Sequence, residues 1–362
     1  MPDEPVIVTG EALAAREPGS HPTAAAEAEA RLCSLVADGT VPGLVFAVVT
    51  PAGRGTGQVT RPGGEFLGPH VMMEIGSVTK VFTALLLADM AERGEVGLDD
   101  PAACYLAAPI ARGCPAATRI TLRHLATHTS GLPRLPANLI PVASRHPGDP
   151  YARYSVDHLY RALRAAGRTT PGAYRYSNFG FGLLGHLLSL AAGRPYGDLI
   201  AERVTGPLRL TETGTDVPDG AITATGHHNG RPAARWNMGA LPGAGALNST
   251  AADLARFLHA CLHPQATPIT AAIEAIQQPH PGPPDRPRTG LGWHIARPKG
   301  WPILWHNGGT GGFSAMLAVD RPAGCAVGAM TTAGPTRARP LDHAVLAALA
   351  AVAGSRPPFQ PQ

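Results

Sequence analysis

The residues with the clearest chemical potential are Ser77 and Lys80, three positions apart in the segment EIGSVTK. Of the 30 basic residues only two, Lys80 and Lys299, are lysines, so a position that needed only positive charge would almost always hold arginine. Residues three apart on a helix share a face, which brings the amine within reach of the hydroxyl. A neutral lysine at a buried helix N-terminus can take the serine proton, whereas an arginine stays protonated. The pair predicts a serine nucleophile with a lysine base.

Two further candidates, Tyr176 and Asn178, lie in the segment YRYSNFG, just before an expected helix. A tyrosine beside a lysine ammonium ionises more easily and can act as a general base. An asparagine amide can bind a substrate carbonyl or the lysine. The alternative is a core aromatic residue followed by a helix-capping asparagine. Tyr176 is therefore a candidate catalytic residue, and Asn178 a candidate substrate-binding residue.

The segment WHNGGTGGFSAML places His306, Asn307, Gly308 and Gly309 at the end of an expected strand. Glycines there allow a substrate backbone to lie along the strand edge, and the Gly309 N–H can point at a developing oxyanion together with the N–H of Ser77. A phosphate-binding loop would open a helix, whereas this segment leads into a strand pattern. A glycine-rich turn without function is the other alternative. We take all four residues as candidates for substrate binding.

Hydrophobic patterning indicates the elements that position these candidates. It predicts helices at about 23–37, 78–90 and 341–353, the second of them buried and beginning beside Ser77. It predicts strands at GLVFAVVT, LGWHIA, WPILWH, FSAMLAV and CAVGAMTT. Short connections between the later strands imply antiparallel pairing.

The order of these elements predicts an α+β fold, in which an antiparallel sheet flanked by helices carries an inserted all-helical lobe. The sheet-containing lobe is expected to combine residues 1–100 and 241–355, and the helical lobe to span 101–240. Residues 356–362 are expected to form a disordered tail. The cleft between the two lobes is the expected site.

Composition narrows the partners and the compartment. The net charge of +4 is spread along the chain without a basic stripe, which disfavours nucleic acid as a partner. No apolar run reaches the roughly 18 residues that span a bilayer, so no membrane partner is expected. The first 20 residues lack the pattern of a signal peptide, so we expect a cytoplasmic protein. The five cysteines are scattered, and no disulfide framework, metal site or cofactor is predicted.

In this order, the three motifs resemble the serine β-lactamase and penicillin-binding-protein superfamily, specifically its class C β-lactamase and esterase-like branch, which includes intracellular transacylases. The resemblance extends over about residues 30–350 and rests on GSVTKVFTALLLADMAERGEVGLDDP, ITLRHLATHTSGLP, YRYSNFGFGLLG, STAADLARFL and WHNGGTGGFSAML. It implies a β-lactamase/transpeptidase-like fold and an acylated Ser77. It also implies acid and base duties shared by Lys80 and Tyr176, a substrate- or lysine-orienting Asn178, and an oxyanion hole built from the N–H groups of Ser77 and Gly309.

One departure from the family pattern concerns the third motif. Penicillin-hydrolysing members usually read Lys-Thr-Gly where this chain reads His306-Asn307-Gly308. A neutral histidine and an amide weaken the case for tight binding of a substrate carboxylate. The sequence therefore favours an esterase or a transacylase that uses a small ester or amide donor and, for transfer, an amine or alcohol acceptor. The alternative is a β-lactamase or a D-amino-acid peptidase-type hydrolase.

Three other hypotheses compete with this one. A metallohydrolase would use His124 and His128 of HLATH, one helical turn apart, but Leu125 occupies the place of the glutamate that zinc proteases need. GFSAM resembles a nucleophile elbow around Ser314, but Met316 replaces the last glycine and the segment reads as a strand. A binding protein with a dead site would have lost the nucleophile or its bases, and this chain keeps them.

Two long loops are expected to flank the cleft, at 133–150 and 278–289. Both are rich in proline and arginine. Long ordered loops in compact proteins often form binding sites, so we expect these two to shape the substrate pocket. The alternative is a pair of tolerated surface insertions.

Overall fold

The computed structural model describes residues 6–9, 24–167, 169–280, 288–297 and 302–354. The expected tail at 356–362 lies outside these residues, as does the part of the second loop at 281–287. None of the helices within the described residues is long and apolar enough to cross a membrane.

One antiparallel sheet of eight strands forms the centre of the fold, in the order β1-β3-β2-β12-β11-β10-β9-β8. Two further ribbons pair β4 with β7 and β5 with β6. The strands are β1 Val6–Thr9, β2 Gly43–Thr50, β3 Gly53–Thr60, β4 Met73–Glu74, β5 His227–His228, β6 Arg231–Pro232, β7 Asn248–Ser249, β8 Arg288–Thr289, β9 His294–Ala296, β10 Ile303–Gly309, β11 Ser314–Asp320 and β12 Cys325–Thr331.

Helices cover both faces of this sheet and fill the middle of the chain. They are α1 Ala24–Ala37, α2 Thr79–Glu92, α3 Ala108–Arg112, α4 Leu122–Ala126, α5 Leu139–Ala143, α6 Val156–Ala165, α7 Asn178–Ala192, α8 Tyr196–Ile200, α9 Ala251–Leu262, α10 Thr270–Gln277 and α11 Pro340–Val352. Single 3₁₀ turns lie at Gly76–Val78, Ala102–Tyr105, Pro115–Thr118, Pro242–Ala244 and Pro264–Ala266, and a π turn lies at Ala201–Thr205. This arrangement confirms the expected α+β class.

Strand β2 shows how the sheet divides two hydrophobic cores. Successive side chains of a strand point to opposite faces. Leu44 and Phe46 therefore pack under α1 and α11, whereas Val45 and Ala47 join the larger core with α2 and α9. Both faces are covered, which explains why this strand is apolar at nearly every position.

The middle of the chain differs from the all-helical expectation. Its helices end at Thr205, and residues 206–240 consist of turns and the β5–β6 hairpin. Asn229 and Gly230 form the hairpin turn, with φ of 50° and 75°. An Asn-Gly pair with both residues at positive φ suits a two-residue hairpin, and the segment HHNGRP carried this signal. The domain boundaries at 100 and 240 remain a prediction.

Candidate active site

Ser77 lies in the 3₁₀ turn that leads into α2, and the end of β10 packs tightly against this turn. Gly76 has φ of 48°, and a Cβ there would lie 2.6 Å from the Gly309 nitrogen. A Cβ on Gly308 would lie 1.9 Å from the Ile75 oxygen and 3.0 Å from the Ser77 nitrogen. Only glycine permits such an approach of two backbones. The glycines thereby place the backbones of Ser77 and Gly309 side by side.

Lys80 lies in the first turn of α2, where its amine is fully buried. A hydrogen bond of 2.9 Å joins its Nζ to Ser77 Oγ, and Nζ donates a second bond of 2.7 Å to the Ala244 carbonyl. Burial lowers the pKa of Lys80 well below its ordinary value, and the nearby Arg134 cation lowers it further. A neutral amine in contact with the serine hydroxyl can accept its proton.

Tyr176 also lies beside the catalytic pair. Its ring centroid is 5.0 Å from Lys80 Nζ, and it lines the same cleft as Ser77. Burial raises the pKa of Tyr176 to about 12, although the nearby Ser77 hydroxyl opposes this shift. The expectation that Tyr176 would ionise more easily beside an ammonium is therefore not met, because burial dominates and Lys80 itself favours the neutral form. The Tyr176 hydroxyl therefore stays protonated.

Asn178 begins α7, and Ser177 rather than Asn178 caps the helix by accepting a bond from the Gly180 N–H. Burial raises the pKa of Tyr151, and the nearby Asn178 side chain opposes this shift. Asn178 Oδ1 is buried and has no hydrogen-bond partner among the described residues. The partners of Lys80 in the described residues are Ser77 and Ala244, so an Asn178–Lys80 bond is absent there. Asn178 lines the cleft together with Ser77.

The third motif splits between the two faces of β10. His306 is fully buried, and its Nδ1 donates a hydrogen bond of 2.6 Å to the Asn307 carbonyl. Its ring stacks on His294 with centroids 4.9 Å apart. The Asn307 amide donates to Asp342 at the start of α11. Asn307, Gly308 and Gly309 line the cleft. His306 does not line it and instead packs in the protein interior against His294.

A cleft of about 650 Å³ opens above Ser77. Much of its lining is aromatic, and two guanidinium groups reach it from different elements. Residues of this lining that sequence reasoning missed are Tyr151, Tyr174, Trp236, His294, Trp305, Arg339 and Asp342. They come from loops and strand ends that carry no local signal of a shared pocket.

A buried polar chain holds the carbonyl that positions Lys80. Thr83, one turn further along α2, donates a hydrogen bond of 2.8 Å to the Gly243 carbonyl and lies 2.8 Å from the Tyr196 hydroxyl. Gly243 directly precedes Ala244, the acceptor for Lys80. Two neighbouring carbonyls of one turn are thus bound by two side chains of α2. This arrangement fixes the turn relative to the nucleophile.

Replacement of Thr83 by valine should lower the free energy of unfolding by about 1–3 kcal/mol, because the Gly243 carbonyl and the Tyr196 hydroxyl would lose a partner in a dry core. Urea denaturation measures this loss. Thr83→Ser keeps the hydroxyl and should retain most of the stability. An equal loss in both variants would mean that the threonine methyl group, rather than the hydrogen bonds, matters.

The alternative metal site at His124 and His128 fits the geometry poorly. Helix α4 ends at Ala126 and His128 has φ of 59°, so His124 and His128 are not one helical turn apart. His124 accepts from the Thr121 N–H, and His128 accepts from the Ser177 N–H. In the described ranges no three His, Cys, Asp or Glu side chains are grouped to hold a metal.

Ser314 begins β11, in a strand rather than in a strand-turn-helix elbow. Its hydroxyl donates a bond of 2.8 Å to the Ala333 carbonyl. No base corresponding to Lys80 contacts it among the described residues, so its hydroxyl has no partner that would activate it.

The two long loops contribute unequally to the cleft. Arg134 and Leu135 of the first loop line it, whereas Arg145 does not, and α5 folds within this loop. The described parts of the second loop, 278–280 and 288–289, lie away from the cleft lining. The expectation therefore holds for the start of the first loop.

An antiparallel sheet with a buried Ser-x-x-Lys pair at the start of a central helix defines a serine hydrolase. The chain belongs to the beta-lactamase family, because the family model described as Beta-lactamase matches residues 28–351. This places it in the serine β-lactamase and penicillin-binding-protein superfamily, as the resemblance implied.

Curated relatives agree with this assignment. The chain is 30% identical over 327 residues to the D-alanyl-D-alanine-carboxypeptidase/endopeptidase AmpH of Escherichia coli, covering 82% of this chain and 81% of the relative. It is 32% identical over 234 residues to a beta-lactamase of Pseudomonas fluorescens, covering 62% and 61%. It is 27% identical over 322 residues to penicillin-binding protein 4 of Amycolatopsis lactamdurans, covering 81% of each.

Proposed function

We propose that this protein hydrolyses the amide bond of a carboxylate-bearing substrate, either a β-lactam or a peptide ending in D-alanyl-D-alanine, through an acyl-enzyme on Ser77. The observation that carries the proposal is the contact between Ser77 Oγ and the buried amine of Lys80. The names of the relatives support this amide class over the esterase or transacylase that the sequence favoured first.

The first half of the reaction forms the acyl-enzyme. Ser77 Oγ attacks the substrate carbonyl carbon while its proton passes to Lys80 Nζ. The resulting oxyanion accepts hydrogen bonds from the N–H groups of Ser77 and Gly309. When the C–N bond breaks, the leaving nitrogen takes the Tyr176 hydroxyl proton, and the Lys80 ammonium returns a proton to the phenolate.

The second half frees the enzyme. A water molecule attacks the acyl carbon and gives its proton to the Lys80 and Tyr176 pair, and Ser77 leaves with a proton from the same pair. A leaving amine needs protonation far more than a leaving phenolate does. Tyr176 stays protonated, since burial raises its pKa to about 12, and it can supply the proton that a leaving amine needs.

A carboxylate on the substrate has a cationic partner in the cleft despite the missing third-motif lysine. Arg339 precedes α11, lines the cleft and has a side chain that is 48% exposed. The N-terminus of α11 adds a favourable dipole for an anion. Arg339 is 3.6 Å from Asp342, whose carboxylate also accepts from Asn307, so its other donors are open to a ligand. We assign the carboxylate of the leaving side, or of the fused ring in a penicillin, to this arginine.

Ester cleavage and acyl transfer share every step up to the acyl-enzyme, and they differ in whether an acceptor replaces water.

The cytoplasmic location and the small-molecule partners inferred from the sequence remain predictions.

The test is the intact mass of the purified protein after brief exposure to benzylpenicillin, to a peptide ending in D-alanyl-D-alanine, or to a p-nitrophenyl ester. An adduct with either amide on the wild type, and none on Ser77→Ala, is expected. If the ester alone forms an adduct, the protein is an esterase or a transacylase. Faster decay of that adduct with an added primary amine would identify transfer.

A further inference from the structure

Arg134 presents a cation inside the cleft that the reaction described above does not use. Its guanidinium carbon lies 5.0 Å from the centroid of the Tyr176 ring, and the residue lines the cleft. Within the described residues it has neither an ion pair nor a side-chain hydrogen bond. A guanidinium placed over an aromatic face keeps its five N–H donors available at the edge of the fork.

The backbone holds this arginine in place. The Arg134 carbonyl accepts hydrogen bonds from the N–H groups of Asn178, at 2.9 Å, and Phe179, at 3.3 Å, which open α7. The carbonyl of the preceding residue, Pro133, accepts a bond of 2.7 Å from Ser177 Oγ. These bonds hold the backbone of Arg134 against the turn that carries Tyr176 and Asn178, and the guanidinium lies over the Tyr176 ring.

Among the described residues that line the cleft, no carboxylate pairs with Arg134 in place of a ligand. Asp342 is the carboxylate among the described lining residues, and it is engaged by Asn307 and Arg339. The positive charge of Arg134 also contributes to the lowered pKa of Lys80 and opposes the raised pKa of Tyr176. Because its guanidinium carbon lies 5.0 Å from the Tyr176 ring centroid and the residue lines the cleft with Ser77, Arg134 can contact a ligand bound on Ser77.

The surroundings of Arg134 differ from those of Arg339. The cleft lining includes Leu135, which follows Arg134 in the chain, the Tyr151 ring and the Trp236 ring, whose centroid lies 5.5 Å from that of Tyr151. A substrate held on Ser77 has two arms, the acyl chain and the leaving group. Because the leaving group is assigned to Arg339, the acyl chain would extend toward the Tyr151 and Trp236 rings and the Arg134 guanidinium.

We propose that Arg134 forms an anion subsite for the acyl side of the substrate, so that the preferred acyl donor carries a carboxylate next to an apolar or aromatic group. This inference rests on the function proposed above. The guanidinium would bind the carboxylate through charged hydrogen bonds while the Tyr151 and Trp236 rings contact the apolar part.

Two penicillins test the subsite, because carbenicillin differs from benzylpenicillin by one carboxylate on the acyl side chain. Their dissociation constants are measured by calorimetry on Ser77→Ala, which binds without acylation, and on Ser77→Ala combined with Arg134→Gln. The ring carboxylate is common to both compounds and cancels in the ratio. Carbenicillin should bind about fivefold more tightly than benzylpenicillin when Arg134 is present, and the ratio should fall to about one when Arg134→Gln removes the cation.

The matched control is Arg145→Gln, which removes the same charge from the same loop but away from the cleft. It should leave the ratio unchanged, and a fall equal to that of Arg134→Gln would overturn the subsite. A ratio that is the same with and without Arg134, or no binding of either compound, also overturns it. If neither compound acylates the wild type while the Arg134-dependent ratio persists, the proposed function fails and the subsite stands.

Discussion

Lys80→Arg should lower kcat/KM by about 10²–10⁴-fold on any acyl donor, because a positioned general base contributes a factor of this size and arginine cannot give up its proton. The wild-type rate should rise with pH as Lys80 loses its proton, at a pH well below the ordinary lysine range, since burial lowers the pKa of this amine. The variant should show no such rise. Initial rates across a pH series measure both effects.

Two controls separate loss of the base from loss of the fold. Lys80→Met has a similar length and no charge, so it should fold and be equally inactive. Lys299→Arg makes the same exchange at the other lysine and should keep full activity. Thermal melting verifies that each protein is folded. Retention of a tenth of the activity by Lys80→Arg would contradict the assignment of Lys80 as the base.

The Ser77 and Lys80 pair was predictable from sequence because their contact is local. Ser77 lies in the 3₁₀ turn that continues into α2, and a spacing of three residues places side chains on one face in either kind of helix. The second partner of Lys80 was not predictable, since the Ala244 carbonyl lies 164 positions away in the chain. It reaches the amine only after the 3₁₀ turn at Pro242–Ala244 packs against α2 and α7. A contact of that kind depends on tertiary packing and leaves no pattern in the sequence.

Strand geometry separates the four substrate-binding candidates of the third motif. Sequence reasoning grouped His306, Asn307, Gly308 and Gly309 as equivalent candidates, yet side chains alternate across a strand. The buried His306 side chain therefore stacks on His294 outside the cleft lining, whereas the Asn307 side chain points to the other face and lines the cleft, where its amide donates to Asp342. Buried His306 stabilises the end of the strand, while the backbone of Gly309 faces the substrate. The alternation was readable from the sequence, but the face that meets Ser77 depended on the fold.

The charge expected at the third motif is supplied from elsewhere. The His306-Asn307-Gly308 sequence indicated weak carboxylate binding, because it lacks the usual lysine. Arg134 and Arg339 line the same cleft from a loop and from the start of α11. Neither is close to His306 in sequence, so the third motif by itself identifies neither. Arg134 lies at the start of the 133–150 loop, which the sequence predicts to shape the pocket, whereas Arg339 carries no such signal.

Tyr176→Phe should lower kcat/KM by about 100-fold to 1000-fold on a β-lactam or peptide, but by less than about tenfold on a p-nitrophenyl ester. An amine cannot leave without a proton, and Tyr176 holds one because burial raises its pKa to about 12. A nitrophenolate leaves as a stable anion and needs no such donor. The ratio of the two losses, measured from steady-state rates on both substrates, is therefore the informative quantity.

Tyr160→Phe provides the control, since Tyr160 bonds His186 at 2.8 Å in the helical region, outside the cleft lining. It should leave both rates near wild type. Equal losses on amide and ester in Tyr176→Phe would mean that the tyrosine acts on the serine proton, a step common to both substrates, rather than on the leaving group. Because Lys80 lies beside Tyr176 and the proposed reaction passes a proton between them, the apparent pKa values of the wild-type profile belong to the pair. Loss of the hydroxyl should leave a single rise with pH, governed by Lys80 alone.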